Sequence, residues 1–376
     1  MASIPGMNDI GTSDCTVVGA SFGGLACATA LAEAGIAVSV LEKRADAGEK
    51  LHTTGILVKE AVEELPILDG LPPSLVRRIE GVRLYAPNLR SVDLDAPGYY
   101  FLATDTPGVM RWLAARAASA GARIVTDTPF REAVRIGDGL RLNGGCGETR
   151  FLVGADGPQS RVAKVFRLGA STRFLAGIEH EYTGAAIDAG DRLHCFVDRR
   201  LMPGYIGWVV QGVGVIQVGL ARRLRGGDSG EVKRSMNRFL DKIAGIFDFR
   251  DRVPTAIRAG LIPCGGPVKP LAASRVLLVG DAAGLVSPVT AGGIHTALKH
   301  GLAAGHAIAA FLKGEAEDPA RAFVRSYPRF RVKRVVRFLF DHFQSDTAFN
   351  LALATKPMRL AASIVYFHHR GVFEPK

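Results

Sequence analysis

A glycine-rich segment near the start of the chain has the residue types and spacing that hold a pyrophosphate. Residues 19–24 read G-A-S-F-G-G, after a short apolar run and before an alanine-rich one. This is the strand–turn–helix context of the dinucleotide fingerprint G-x-G-x-x-G. Gly19 allows the tight turn and Gly24 allows close packing of the helix, whose N-terminal N–H groups attract an anion. The segment therefore predicts a dinucleotide-binding turn.

Two further residues refine this prediction. Ser21 stands where the fingerprint has its middle glycine; serine is small enough for the backbone to approach a phosphate, and its hydroxyl is available to donate to one. Glu42 ends the next predicted strand, 23 residues after Gly19. An acidic residue there accepts hydrogen bonds from ribose hydroxyls and disfavours a 2′-phosphate. The pocket is therefore predicted to take FAD or NAD rather than NADP.

Two later segments complete a flavin site. Residues 154–157 read G-A-D-G after an apolar run, and Gly280-Asp281 ends the run V-L-L-V. A carboxylate at the end of a strand accepts hydrogen bonds from ribityl hydroxyls, and the small residues that follow leave room for a planar ring. Residues 288–293, P-V-T-A-G-G, then lead into a helix whose N-terminus stabilises negative charge on a reduced flavin. Together, the three segments predict FAD.

With these segments, the chain resembles the para-hydroxybenzoate-hydroxylase-type flavoproteins over residues 14–312. The resemblance implies that the Asp156-Gly157 turn lies near the pyrophosphate and that Arg44 and Arg111 lie against the cofactor. A second G-x-G-x-x-G is absent, so NAD(P)H, if it is the electron donor, has no Rossmann domain of its own; other donors stay open. The predicted cofactor-binding set is Gly19, Ser21, Phe22, Gly23, Gly24, Glu42, Lys43, Arg44, Gly55, Arg111, Asp156, Gly157, Gly280, Asp281, Pro288, Gly292, Gly293 and Ile294.

A closer resemblance, to the geranylgeranyl reductases, rests on residues 202–209, M-P-G-Y-I-G-W-V, and on the P-V-T-A-G-G-I segment. The first is similar to the Y-x-W-x-F-P region that lines a lipid pocket in that family. Here Gly207 is inserted between the aromatic residues, and V-V-Q replaces F-P. In a regular strand Tyr205 and Trp208 would lie on opposite faces. Two aromatic residues in a sheet core are the alternative interpretation.

The region that resembles the family's K-x-C-G-G motif departs from it. Residues 50–56 read K-L-H-T-T-G-I, so His52 and two threonines stand where a thiol is expected. Imidazole titrates near neutral pH, which makes His52 a candidate acid or substrate contact; a solvated loop histidine is the alternative. The predicted catalytic residues are His52, Tyr205 and Trp208, and no metal is expected.

The leading functional hypothesis is an FAD-dependent oxidoreductase that reduces C=C bonds of a hydrophobic, isoprenoid-like small molecule by hydride transfer. The alternative is an FAD-dependent monooxygenase that uses NAD(P)H and O₂. A third hypothesis is a flavin-binding protein of membrane surfaces without enzymatic turnover. The sequence leaves the substrate, the electron donor and the oligomeric state open.

The elements that must position these residues predict an α/β fold. A Rossmann-like FAD-binding domain, residues 1–79, 104–170 and 268–318, is interrupted by an antiparallel β-sheet substrate domain, residues 80–103 and 171–267. A basic helical C-terminal region follows at 319–376. Periodicity predicts helices over residues 22–34, 56–64, 107–120, 230–243 and 290–312.

Composition bounds the setting of the protein. The 376 residues carry a net charge of +11, and residues 320–376 hold 11 Lys and Arg against three Asp and Glu. The sequence lacks a secretory signal and an uncharged apolar run of spanning length. Its five cysteines are scattered, which favours a reducing cytoplasm. The basic tail contains aromatic residues, so peripheral contact with an anionic membrane and packing on the domain both stay open; nucleic acid is disfavoured.

Overall fold

The computed structural model describes residues 10–145, 147–184, 186–223, 230–328 and 330–367. The cysteine at position 146, Arg329 and the last nine residues of the basic tail lie outside this part of the chain. The strands are β1 Gly11–Val18, β2 Val38–Leu41, β3 Ile56–Val58, β4 Val76–Ile79, β5 Gly81–Tyr85, β6 Ser91–Asp95, β7 Phe101–Thr104, β8 Arg123–Val125, β9 Ala133–Ile136, β10 Gly139–Leu142, β11 Gly147–Gly154, β12 Phe174–Thr183, β13 Arg192–Phe196, β14 Gly207–Gln211, β15 Val215–Arg223, β16 Ala256–Pro263, β17 Ala272–Ala273 and β18 Val276–Leu278.

The helices are α1 Phe22–Glu33, α2 Lys59–Glu64, α3 Thr106–Ser119, α4 Arg161–Val165, α5 Gly230–Ile243, α6 Ile294–Leu312, α7 Pro319–Ala322, α8 Arg331–Phe343, α9 Asp346–Ala352 and α10 Lys356–Phe367. Short 3₁₀ turns lie at Pro66–Leu68, Pro73–Leu75, Asn143–Gly145, Gly280–Ala283 and Phe323–Ser326.

A largely parallel sheet brings the distant segments of the chain to one edge. Its strand order is β17-β18-β11-β1-β2-β8, and β18, β11, β1, β2 and β8 run parallel to one another. Val18 pairs with Leu41 and Gly154, and Gly154 pairs with Leu278. Because these strand ends are in register, the segments that follow them leave the sheet side by side.

A second sheet is mostly antiparallel, with order β16-β12-β15-β14-β13-β5-β6 and a parallel pair between β13 and β5. One face is covered by α5, whose Val232, Met236, Phe239 and Ile243 join an apolar cluster with residues of this sheet. A third, three-stranded sheet has order β3-β7-β4. The α/β fold class is thus confirmed, whereas the residue boundaries of the domains stay a prediction.

Two predicted helices differ from the structure. Residues 56–64 divide into β3 and α2, because the β-branched Ile56 and Val58 favour a strand before the helix-forming K-E-A-V-E-E. The long helix predicted from residue 290 begins at Ile294. Ala291 has a φ of 49°, a left-handed conformation that a helix cannot include, and Gly293 is the N-cap.

Helices α1 and α6 pack through glycines at backbone distance. A Cβ at Gly301 would overlap the carbonyl oxygen of Gly23, and one at Gly305 would lie 2.6 Å from that of Cys27. The pair places α6 against the helix of the dinucleotide turn, so both N-termini approach the same edge of the parallel sheet.

The C-terminal helices begin at residue 319. Helix α8 is amphipathic, but it has a charged side chain on its buried face and apolar side chains on its exposed face. Its Arg337 is 5% exposed and pairs with Asp341, while Val335 and Phe338 are 60% and 55% exposed. Within the described residues, every helix is too short or too polar to cross a bilayer.

The contact between α1 and α6 gives a stability prediction. Gly301→Ala gains up to about 1 kcal/mol of helix propensity, but its methyl group meets a backbone carbonyl that cannot rotate away. We expect a net loss of about 1–3 kcal/mol in the free energy of unfolding, measured in urea. Gly245→Ala is the matched control, because nothing lies within 4 Å of a Cβ there. Equal stabilities of the two variants would contradict close helix packing.

Candidate functional site

The dinucleotide turn is built around backbone contacts that exclude side chains. Gly19 has a φ of 103°, and a Cβ there would lie 2.6 Å from the carbonyl oxygen of Ala155. A Cβ at Gly24 would overlap the carbonyl oxygen of Gly19. The turn from β1 into α1 therefore needs glycine at both positions, and it lies directly against the end of β11.

Ser21 has a different role from the one its sequence position suggested. Its hydroxyl donates to the carbonyl oxygen of Ala155 at 3.0 Å and accepts from the backbone N–H of Gly24 at 3.2 Å. Ser21 is thus the N-cap of α1. Because its hydroxyl proton is donated to Ala155, the hydroxyl does not donate to a phosphate in this arrangement. An anion here would be bound by backbone N–H groups of the first turn, including those of Phe22 and Gly23.

Glu42 ties the end of β2 to the same turn. Its carboxylate accepts from the backbone N–H of Ala20 at 2.9 Å and from that of Arg44 at 3.1 Å. The residue is buried, and each oxygen keeps a lone pair for a further donor. This arrangement suits a ribose hydroxyl arriving beside the glycine turn. Lys43, next to it, is exposed.

Asp281 is the carboxylate of this edge that has no partner. It is half-buried after β18, and within the described chain neither of its carboxylate oxygens takes part in a hydrogen bond or ion pair. Burial raises the pKa of Asp281 to about 6. Gly280 and Gly23 both approach Ala297 of α6, and Gly293 lies beside the Asp281 carboxylate. The structure thus brings the first and third sequence segments together.

The segment from Pro288 to Gly293 is fixed by two other parts of the chain. Arg337 of α8 donates to the carbonyl oxygen of Pro288 at 3.4 Å. The Tyr205 hydroxyl donates to the carbonyl oxygen of Thr290, and the carbonyl of Gly292 accepts from the backbone N–H of Ser287. Ile294 then begins α6. The segment is held from the antiparallel sheet and from the C-terminal helices.

Two further predicted residues, Asp156 and Arg111, have side chains that contact other parts of the protein. The Asp156 carboxylate accepts from the hydroxyl of Ser160 and from two backbone N–H groups at the start of α4, while Gly157 has a φ of 86° in the turn. Arg111 is half-exposed and forms an ion pair with Asp46 at 2.6 Å, which lowers the pKa of Asp46. Asp156 and Arg111 therefore act through protein contacts here.

Residues 52–55 cover one face of the antiparallel sheet. His52 Nδ1 lies 2.6 Å from the carbonyl oxygen of Ala259, and Nε2 lies 3.1 Å from Arg44. The carbonyl requires a proton on Nδ1, so Nε2 is unprotonated. Partial burial lowers the pKa of His52, and Arg44 and Lys43 lower it further. At Gly55, a Cβ would overlap the hydroxyls of Thr104 and Thr106.

Tyr205 and Trp208 do not lie on opposite faces of a strand, which corrects the expectation from their spacing. Tyr205 precedes β14, in the turn, and only Trp208 belongs to the strand. Both pack against the same apolar cluster, formed by Leu175, Ala221 and Cys264. Gly219 leaves the space for the Trp208 ring, because a Cβ there would overlap it.

The covered face also holds a buried polar network that the sequence did not reveal. Glu179 accepts from the Thr54 hydroxyl at 2.6 Å and from the Trp208 indole N–H at 2.8 Å. Glu181 forms an ion pair with Arg258 at 2.6 Å. Gln217 donates to the carbonyl oxygen of Thr54. The only signal was the placing of polar residues at alternate positions in apolar strands, a pattern that usually indicates a solvated face.

The edge of the parallel sheet fits FAD. The glycine turn makes a cradle that a Cβ would fill, Glu42 lies where a ribose would be held, and Asp281 offers a half-buried acceptor without a partner. The covered face of the antiparallel sheet lies beyond the Pro288–Gly293 segment, connected to it by Tyr205.

Comparisons with known proteins agree with this geometry. The sequence profile of a family described as "FAD binding domain" matches residues 12–338. The chain is 30% identical over 330 residues to digeranylgeranylglycerophospholipid reductase 2 of Methanopyrus kandleri, over 84% of this chain and 81% of that protein.

Solved structures give the same fold. A geranylgeranyl bacteriochlorophyll reductase-like protein of Thermoplasma acidophilum has a TM-score of 0.80 at 20% identity, over 96% of this chain and 97% of that chain. A "probable FAD-dependent monooxygenase" from Pseudomonas aeruginosa has a TM-score of 0.69 at 19% identity, over 94% and 99%. At such identities the likeness concerns the fold alone.

Proposed function

The chain belongs to the FAD-binding-domain family and, within it, to the geranylgeranyl reductases, and we propose that this FAD-dependent oxidoreductase reduces C=C bonds of an isoprenoid lipid. The observation that carries the proposal is the 30% identity to a digeranylgeranylglycerophospholipid reductase over 84% of the chain, which includes residues of both the parallel and the antiparallel sheet. A monooxygenase is the second candidate, favoured by the fold it shares with such an enzyme.

In this proposal the residues of the parallel-sheet edge hold the cofactor. Backbone N–H groups at the start of α1 bind the pyrophosphate, and Glu42 accepts from the adenosine ribose. Asp281 would accept from ribityl hydroxyls, and the N-terminus of α6 at Gly293-Ile294 would stabilise negative charge on the flavin ring. Bound FAD supplies the two electrons and the hydride of the reduction.

Tyr205 and Trp208 have a positioning role in the same proposal. Tyr205 holds the carbonyl oxygen of Thr290 and so fixes the Pro288–Gly293 segment relative to the antiparallel sheet. Trp208 holds Glu179 within that sheet. Arg44 keeps His52 at the covering segment. The electron donor, whether NADH, NADPH or a small redox protein, is part of the proposal that the reaction assay must resolve.

The proposed reaction is tested in single turnover. We expect the chemically reduced holoenzyme, mixed without oxygen with a geranylgeranyl glycerophospholipid, to regain oxidised-flavin absorbance while the lipid gains two hydrogens per bond, followed by mass spectrometry. Mixing with O₂ alone distinguishes the alternative: a transient near-ultraviolet absorbance that lasts seconds, with an unreduced lipid, would establish a monooxygenase. Turnover with each donor then identifies the source of electrons.

Asp281 gives a second test. Hydroxyl donors favour the carboxylate, so binding of FAD lowers the pKa from about 6 and releases a proton. We therefore expect the affinity for FAD to increase as the pH is raised towards ~6, by up to about tenfold per pH unit, and to stay constant at higher pH. Asp281→Asn should lose this pH dependence, and Asp281→Ala should be purified without FAD.

The matched control is Asp248→Asn, an exposed carboxylate paired with Arg250. It should retain FAD at full stoichiometry with the pH dependence of the original protein. A yellow, stoichiometric Asp281→Ala protein would contradict the assignment of this carboxylate to the cofactor.

We further propose that the C-terminal helices contact an anionic lipid surface. Val335 and Phe338 on α8 and Leu351 on α9 are more than half exposed, and the exposed Arg331 and Arg334 lie beside the first two. Apolar side chains that insert among basic ones suit the interface of a bilayer that contains anionic lipids. Such a surface is also where an isoprenoid phospholipid would be found.

Vesicle co-sedimentation tests this surface. Val335→Asp/Phe338→Asp should weaken binding to vesicles of phosphatidylglycerol and phosphatidylcholine by at least about tenfold, since each apolar side chain contributes about 1.5–3 kcal/mol when it is buried. Binding of the unsubstituted protein should weaken at high salt. The control, Val253→Asp/Ile257→Asp, removes exposed apolar residues elsewhere and should bind normally. Equal loss in both variants would contradict a specific surface.

A further inference from the structure

One carboxyl group of the covered face is shielded from solvent and, among the described residues, forms no ion pair of its own. Glu179 on β12 is 3% exposed. The nearest cation on that face, Arg258, is already paired with Glu181 at 2.6 Å and also donates to the carbonyl oxygen of Thr53. Two carboxyl groups that share one guanidinium do not both ionise readily. Burial raises the pKa of Glu179, against the smaller opposing effects of its two hydrogen-bond donors and Arg258.

The hydrogen bonds of Glu179 determine which of its oxygens can carry a proton. Oε2 accepts from both the Thr54 hydroxyl and the Trp208 indole N–H. Oε1 is buried, and among the described residues it has no hydrogen-bond partner. In the neutral carboxyl group the proton therefore resides on Oε1, where it is free to be donated. A buried donor without an acceptor is costly in a folded protein, which points to an acceptor that arrives from outside the chain.

Glu179 lies between the covering segment and the Pro288–Gly293 segment. Thr54 belongs to the covering segment, whose Gly55 packs against Thr104 and Thr106. The Trp208 ring packs against the same apolar cluster as Ala291 of the segment that precedes α6. Glu179 thus lies on the sheet face that both segments approach, and its Trp208 donor connects it to the apolar cluster on that face.

We propose that Glu179 supplies the proton that is consumed when the double bond is reduced, an inference that rests on the function proposed above. The π bond of the alkene breaks, one carbon forms a bond to the proton as the O–H bond of Glu179 breaks, and the other carbon receives hydride from the reduced cofactor. The alkene is reduced by two electrons and the flavin is oxidised by two. The Glu179 carboxylate then takes a proton from water.

His52 is less suited to this task. Its single ring proton is held by the carbonyl oxygen of Ala259, and its other nitrogen faces the cationic Arg44. Among the described residues, the charged side chains that act on Glu179 are Glu181 on its own strand and Arg258 on β16. Only Glu179 combines burial, an unused donor and contact with Trp208.

The first readout is spectroscopic and independent of turnover. The chain has two tryptophans, so Trp112→Phe leaves Trp208 as the only tryptophan, which is excited selectively at the red edge of its absorption band. In the oxidised holoenzyme, Trp208 fluorescence should titrate with a midpoint clearly above the ordinary Glu value of about 4.3. Glu179→Gln, which keeps an acceptor for both donors, should abolish this step. Glu181→Gln should lower the midpoint, because Arg258 then acts on Glu179 alone.

The second readout is the single-turnover reaction. Glu179→Gln should slow reoxidation by the alkene by about 10²-fold or more, while reoxidation by ferricyanide and the FAD content stay unchanged. If the original protein reduces the lipid and Glu179→Gln does so at the same rate, the role of Glu179 is wrong and the proposed function stands. If the original protein reduces no alkene, both are wrong.

A variant that retains the carboxyl group covers the case in which Glu179→Gln does not fold. Thr54→Val removes one donor that stabilises the carboxylate, so the midpoint of the Trp208 titration should move to higher pH. A midpoint near the ordinary Glu value in the Trp112→Phe protein, or one that Thr54→Val does not move, would overturn the proposal.

Discussion

The alignment of four strand ends is the constraint on which the rest of the structure depends. Val18, Leu41, Gly154 and Leu278 lie in register across β2, β1, β11 and β18. Parallel strands end at one edge, so segments up to about 260 residues apart in the chain meet there. The contact of Gly19 with the carbonyl of Ala155 shows how little room is left: any side chain would push β1 and β11 apart. The cofactor site is therefore a consequence of strand register more than of any single side chain.

The covering segment, residues 52–55, connects this edge to the antiparallel sheet. Its polar atoms are satisfied from the sheet, by Glu179, Gln217 and Arg258, while Gly55 is held by hydroxyls at the start of α3. Buried polar groups tolerate few alternative arrangements, because a buried group that loses its hydrogen-bond partner costs about 1–3 kcal/mol of stability. The network therefore specifies the relative position of the two sheets more sharply than apolar packing would.

The sequence alone predicted those features that depend on local patterns of residues. The glycine turn, Glu42 and Asp281 could be named as candidates because strand ends and glycine spacing are local signals, and the fold class follows from their order. The polar network was missed because Glu179 and Glu181 look like solvent-facing residues until the segment that covers them, more than 120 residues earlier, is placed. Opposite faces were expected for Tyr205 and Trp208 if both lay in a regular strand, because periodicity does not reveal where a turn ends and β14 begins. The role of Ser21 as an N-cap likewise depends on Ala155, a contact across 134 residues.

Helix α8 contributes to the outer surface of the protein and also contacts the Pro288–Gly293 segment. Arg337 and Asp341 are turned inward, where Asp341 also pairs with Arg223 and Arg337 reaches the carbonyl oxygen of Pro288. A buried ion pair contributes little to stability compared with apolar residues of the same size, so its value lies in orientation. Because Arg337 and Asp341 are fixed inward, the rotation of α8 about its own axis is fixed as well. In that orientation Val335 and Phe338 point outward. Through Arg337, the helix that carries this outward face is therefore hydrogen-bonded to Pro288, the residue that begins the segment leading into α6.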